Sequence, residues 1–220
     1  MLGEAYRDLK YLLNRGYRKK YALEFVANHY RLTLDERHLL ARCVFSDSWV
    51  NGVRKKLLRS EELRGKTIAI DGFNVLITLE SLVEGKAILC EDSLVRDLKY
   101  QGKYRFNENT ERLLRETGRA LGELGVDRAV FFYGRNVPKS GVVKALTEKS
   151  LEEFGVPGEV YLVKSPDFEL KGFETVATAD VGVVSKASHV FDLARHVAGR
   201  LGKRPQTLVE LLGKTQSSQI

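Results

Sequence analysis

Two aspartates, Asp71 and Asp180, each close a short apolar, β-branched run: Thr67-Ile68-Ala69-Ile70 leads into Asp71, and Val176-Ala177-Thr178-Ala179 leads into Asp180. In an open parallel sheet, functional groups gather just beyond the carboxyl ends of the strands, where strand order reverses. Two strand-end carboxylates that each open a helix are therefore candidates to act together. Mg²⁺ is a hard ion that takes oxygen ligands and keeps several waters, so one or two direct carboxylates suffice to hold it. Such an ion lowers the pKa of a bound water and neutralises charge on a reacting phosphoryl group. Asp71 and Asp180 would be the direct ligands, with Asn74, one turn into the following helix, holding a metal-bound water or a phosphate. The plainer alternative for either aspartate alone is a helix cap or a turn former.

Further acids and cations are candidates to complete the site. Asp167 follows the run Val160-Tyr161-Leu162-Val163 and a short Lys164-Ser165-Pro166, so it is either a third strand-end acid or a turn residue after proline. In Glu91-Asp92-Ser93-Leu94-Val95-Arg96-Asp97, Asp92 or Asp97 would serve as a metal ligand and Arg96 as a phosphate clamp. On a helix, however, Asp92 and Arg96 stand four apart, which reads as a surface ion pair. After Phe131-Phe132-Tyr133 no acid appears; Arg135, Lys139 and Ser140 stand there instead at the start of a helix, where free amides and cations suit a phosphate and Ser140 suits a cap. Asp192 lies twelve residues past Asp180, too far along one helix to join it. The four histidines, His29, His38, His189 and His196, form no ligand pattern, with the last two seven apart on one helix. No nucleophilic Ser or Cys motif and no glycine-rich nucleotide fingerprint is present.

The elements that must position these groups can be read from periodicity. From residue 66 onward, strands at 67–70, 86–90, 129–133, 159–163 and 175–178 alternate with helices at about 74–83, 107–124, 141–154 and 181–201. That alternation predicts an α/β fold with a mostly parallel sheet and helices on both faces. Residues 1–65 read instead as a small all-helical module, with apolar residues at three- and four-residue spacing and a capping box at Thr33-Leu34-Asp35-Glu36. Residues 66–204 would form the α/β domain and 205–220 a short C-terminal tail with one helical stretch.

The charge is uneven. Residues 1–66 hold 15 Lys and Arg against 8 Asp and Glu, whereas the rest of the chain balances at 21 of each, so the whole excess of +7 sits in the first third. Clusters at Arg18-Lys19-Lys20 and Arg54-Lys55-Lys56, with the sole tryptophan, Trp49, nearby, suggest a module that docks a polyanion; a solvated helix face is the plainer reading. The two cysteines, Cys43 and Cys90, follow no metal or redox spacing and read as reduced thiols. With no apolar run of membrane-spanning length and no signal-peptide order at the N-terminus, the expectation is a cytoplasmic protein that does not enter membranes.

Ile70-Asp71-Gly72-Phe73-Asn74-Val75 resembles the first-strand signature of the PIN/NYN nuclease superfamily, an apolar strand ending in Asp-x-x-Asn, and Val176-Ala177-Thr178-Ala179-Asp180 resembles its later strand ending in Thr-x-Asp. The likeness spans roughly residues 66–200. The stretch with Arg96-Asp97 also resembles an uncharacterised prokaryotic family in which a helical N-terminal module precedes a PIN-like domain. The resemblance implies RNA cleavage with Mg²⁺ or Mn²⁺ held by three or four acidic side chains, and RNA as partner. A second expectation is a catalytically silent PIN-like module that binds RNA, or that pairs with a protein or a second copy through its N-terminal helices. A haloacid-dehalogenase-type phosphotransferase ranks last, because Phe73 stands where that chemistry wants a second aspartate.

Overall fold

A computed structural model describes residues 1–98 and 104–217, the side chains of 214–217 excepted. In chain order the elements are α1 (Leu2–Asn14), α2 (Lys19–His29), α3 (Leu34–Cys43), α4 (Asp47–Lys56), a 3₁₀ turn (Ser60–Leu63), β1 (Thr67–Asp71), α5 (Gly72–Val83), β2 (Ala87–Leu89), β3 (Val95–Asp97) and α6 (Thr110–Leu124). There follow β4 (Arg128–Gly134), α7 (Ser140–Glu153), β5 (Gly158–Val163), α8 (Pro166–Leu170), β6 (Thr175–Ala177), α9 (Val181–Lys186), β7 (His189–Val190), α10 (Leu193–Arg200), β8 (Gln206–Thr207) and α11 (Leu208–Ser217). None of the helices among the described residues is long and apolar enough to cross a membrane.

These elements form two compact units, one of residues 1–55, 86–98 and 205–220, the other of residues 56–85 and 99–204. The second is the α/β unit. Its sheet has the order β5-β4-β1-β6-β7, and every pairing is parallel. Strand β1 is central: Ile68, Ala69 and Ile70 are fully buried, as a continuous apolar run covered by helices requires. The sheet is flanked by helices, with α5, α6, α7 and α10 packing into one contiguous layer and α8 lying against β1 and β4. Helix α6 ends where expected, on Gly125 in the left-handed conformation.

The first unit holds the four N-terminal helices and more. Leu2, Ala5, Leu9 and Leu13 of α1, Ala22 and Val26 of α2, and Leu39, Leu40 and Cys43 of α3 share a core with Ile88, Cys90 and Leu208. The Thr33–Glu36 capping box is formed, each side chain bonding the other's backbone N–H. Strand β2 pairs antiparallel with β3 and parallel with β8. Residues 86–98, which the sequence assigns to the α/β domain, and 205–217, which it assigns to a tail, thus pack in the helical unit. Their burial of Ile88, Cys90 and Leu208 is the reason; residues 218–220 of that tail lie outside the described residues.

One expected helix is two. The stretch after Asp180 forms α9, turns extended at Ala187, pairs as β7 with β6 and restarts as α10 under an Asp192 cap on the Arg195 N–H. Asp192 is a cap rather than a distant residue on the Asp180 helix, and His189 and His196 lie on different elements.

Gly72, the first residue of α5, lies so close to Tyr133 that a Cβ there would overlap the ring. The ring cannot swing aside: it is wholly buried, its hydroxyl is hydrogen-bonded to Thr147 at 2.9 Å, and it meets Phe73 edge-on at 4.9 Å. Gly72→Ala is therefore expected to destabilise the α/β unit by about 1–3 kcal/mol through overpacking, seen as a lower urea midpoint.

Candidate active site

The chain runs from β1 to β4 to β5 on one side of the sheet, then returns to place β6 and β7 on the other side of β1. Strand order therefore reverses between β1 and β6, and the carboxyl ends of those two strands are where a ligand crevice is expected. Asp71 ends the first of them. Thr178, Ala179 and Asp180 follow the second directly.

Four side chains lace these ends together. One Asp71 oxygen, Oδ1, accepts the backbone N–H of Asn74 at 3.4 Å, capping α5, and the other, Oδ2, accepts the Thr178 hydroxyl at 3.1 Å. Thr178 Oγ1 in turn accepts the Asp180 N–H at 3.1 Å. Asn74 Oδ1 accepts the Ala179 N–H at 2.9 Å. Asp180 Oδ1 accepts the Val183 N–H at 3.0 Å, capping α9. Each Asp71 oxygen carries one hydrogen bond, which leaves each a further lone pair.

Asp71 is only 8% exposed. Burial, then the negative charge of Asp167 and more weakly that of Asp180, pushes its pKa up to about 7, against the opposing pull of the Thr178 and Asn74 bonds. Asp167, at the start of α8, is itself raised by partial burial and by the charge of Asp180. Asp71, Asp167 and Asp180 thus lie in one another's electric field. Groups whose ionisation is opposed by burial and by like charges are candidates for binding something cationic or for proton transfer. Among the described residues no three His, Cys, Asp or Glu side chains form a ready-made metal cage. Mg²⁺ does not need one, because it keeps most of its own waters. The oxygen-only donor set, with a lone pair open on each Asp71 oxygen, fits that ion.

The other expected site residues are placed differently. Asp92, Arg96 and Asp97 belong to the first unit, Asp71, Asp167 and Asp180 to the second. They do not lie on a helix: Arg96 and Asp97 are on β3, and Asp92 is in the turn before it. The expected ion pair forms, yet it is buried rather than at the surface. Both Arg96 Nη atoms donate to Asp92 at 2.7 Å, with Arg96 4% exposed and Asp92 wholly buried, and the Trp49 indole N–H donates to Asp92 at 3.1 Å. A guanidinium committed to a buried carboxylate is no phosphate clamp, and Asp92 is no metal ligand. Asp97, equally buried, accepts from Arg42 at 3.4 Å. Arg135 and Lys139 are exposed in the loop after β4, whereas Ser140 is buried and donates its hydroxyl to the Arg135 carbonyl at 3.3 Å. Lys139, with φ 65°, occupies the cap position of α7 that Ser140 was expected to fill.

Thr178 was missed as a site residue, although its place two before Asp180 was legible. Another buried acid, Glu80, went unread as well. It is buried on α5 and accepts from the Asn107 amide at 2.9 Å and the Thr110 hydroxyl at 3.3 Å, a partnership across 27 and 30 residues that no local pattern announces.

Residues 60–196 match the family model described as "Domain of unknown function (DUF5616)", and residues 1–56 match "Protein of unknown function (DUF434)". The chain is similar to the "Uncharacterized protein MJ0935" of Methanocaldococcus jannaschii, at 38% identity over 205 residues that cover 91% of this chain and 98% of that protein. No solved structure matches it.

Proposed function

We propose, for this chain, which belongs to the DUF5616 family, that the site at Asp71 is the centre of a metal-dependent ribonuclease. The observation that carries the reading is the buried carboxylate of Asp71 at the reversal point of the sheet, tied to Thr178 and Asn74 and set in the field of Asp167 and Asp180. Asp71 and Asp180 would hold Mg²⁺ or Mn²⁺, and Asp167 would add charge or a water contact. When bound, the ion supplies a water acidic enough to attack at neutral pH and positive charge for the phosphoryl oxygens. Thr178 keeps one Asp71 oxygen oriented by donating to it. Asn74, fixed through its carbonyl by the Ala179 N–H, leaves its NH₂ to donate to a water or a phosphate oxygen. Arg135 and Lys139, exposed after the neighbouring strand, are available to pair with the flanking phosphates of RNA.

The test is cleavage of a mixed single-stranded and hairpin RNA pool as Mn²⁺ or Mg²⁺ is titrated. Metal-dependent cutting by the native chain, lost in Asp71→Asn and Asp180→Asn, supports the reading; no cutting at any metal concentration sinks it.

The alternative, a silent PIN-like module that only binds, is favoured by one fact: Asp71 and Asp180 also cap the helices that follow them. Asp180→Ser separates the two roles. Serine caps about as well as aspartate, so the melting temperature should stay close to native, within the few tenths of a kcal/mol that separate the two caps. Yet a hydroxyl cannot replace a carboxylate on a hard cation, and cleavage should fall at least about a hundredfold. A silent module would show the first result with no cleavage to lose.

A further inference from the structure

Helix α2 is built inside out. Its buried positions are the small or slender Ala22, Val26 and Ala27, while its large rings face solvent. Tyr17, just before the helix, is 59% exposed, Tyr21 60% and Phe25 67%, and His29 is exposed too. Tyr21, Phe25 and His29 stand at every fourth position of the helix, so they form one stripe in which each ring rises about 6 Å above the last, and Tyr17 comes just before it in the chain. Phe25 and His29 are already stacked nearly parallel, with centroids 6.4 Å apart and an interplanar angle of 11°. Arg18 and Lys20 flank the stripe, both exposed, the Lys20 ammonium lying 6.0 Å from the Tyr21 ring centre; Glu24 is the exposed acid on the same helix.

We propose that this stripe is a stacking platform for a single strand of RNA, the rings of Tyr17, Tyr21, Phe25 and His29 receiving successive bases while Arg18 and Lys20 hold the phosphates. Ladders of exposed rings beside cations are how proteins bind single strands, since every base offers a face to stack on. The unit that carries this helix, residues 1–55, 86–98 and 205–220, holds 14 Lys and Arg against 10 Asp and Glu, and this excess of +4 draws in a polyanion and opposes a second copy of the same unit on this surface. The choice of RNA over DNA rests on the ribonuclease reading and on the phenol hydroxyls of Tyr17 and Tyr21, which can exchange hydrogen bonds with a ribose 2′-hydroxyl.

The test uses the full chain in EDTA, so that nothing is cut, and follows the anisotropy of a labelled, roughly 12-nucleotide unstructured RNA. Tyr21→Ala with Phe25→Ala should weaken binding by about tenfold per ring. Arg18→Gln with Lys20→Gln should flatten the logarithmic salt dependence by roughly 1.4. All four positions are exposed, so Trp49 fluorescence and the melting temperature should stay native. Three results would overturn the proposal: unchanged affinity in the ring variants, a duplex or a DNA strand of the same sequence bound as tightly as the RNA, or sedimentation showing that the ring substitutions dissolve a dimer and leave RNA binding intact. Mn²⁺ titration of the Tyr21→Ala, Phe25→Ala chain should match that of the native chain, so a failure at the carboxylate site would leave this surface standing, and the reverse.

Discussion

Asp71→Asn is expected to abolish metal-dependent cleavage of RNA and, in the absence of divalent ions near pH 8, to make the chain more stable than the native one. The first half follows from chemistry, because an amide oxygen carries no charge to hold a hard dication. The second half follows from linkage. An aspartate has a pKa of about 3.9 in the unfolded chain, while in the folded chain burial and the charges of Asp167 and Asp180 raise that of Asp71 to about 7. The folded state therefore holds this proton more tightly than the unfolded state does. Its stabilising contribution is complete below about pH 4, falls as pH rises between the two pKa values, and is gone above about 7. A shift of this size corresponds to on the order of 4 kcal/mol of stability forgone at alkaline pH. Asparagine keeps the hydrogen-bonding shape, accepting from the Asn74 N–H and meeting the Thr178 hydroxyl, without the charge. Melting curves in EDTA should show the two proteins close together near pH 4 and the variant ahead by several degrees near pH 8. Added Mn²⁺ should raise the native melting temperature and leave that of the variant unmoved.

The second large effect lies in the first unit. Arg96→Ala should cost about 3–5 kcal/mol, because it strands the wholly buried Asp92 with the Trp49 indole and the Leu94 N–H as its remaining donors. Replacing both partners, Asp92→Leu with Arg96→Met, should recover most of that loss, since a buried ion pair exchanged for apolar groups is close to neutral. Trp49 is the only tryptophan and touches the pair, so its fluorescence during urea unfolding reports on this unit directly. An Arg96→Ala midpoint equal to the native one would show the pair to be idle.

The contrast between these two carboxylates shows what could be read without coordinates. Asp71 was legible because its signal is local: three fully buried apolar residues run into an acid and a glycine that opens a helix. The Thr33–Glu36 capping box and the left-handed Gly125 were legible for the same reason, each being complete within a few residues. The pairing of Asp92 with Arg96 was legible but its burial was not, because that is set by Trp49, 43 residues away in sequence, and by a three-residue strand, β2, whose parallel neighbour β8 lies more than a hundred residues further on. Pairings so distant leave no periodicity in a short segment, and a spacing of four residues invites a helix where a turn and a strand exist. The break between α9 and α10 was hidden likewise, since β7 is two residues long and exists only because β6 lies beside it. Asp167 reads equally well as a turn residue or a site residue in sequence; only the sheet order brings its charge to bear on Asp71.

A metal-dependent ribonuclease centred on Asp71 requires that Asp71, with Asp180, take up a divalent ion. Calorimetric titration of the metal-free chain with Mn²⁺ near pH 8, repeated near pH 5.5 and with Asp71→Asn, measures this without relying on any substrate. The expected result is one saturable site per chain that weakens at the lower pH, where Asp71 is protonated, and disappears in the variant. Binding of equal strength in native and Asp71→Asn chains, or none in either, would contradict it.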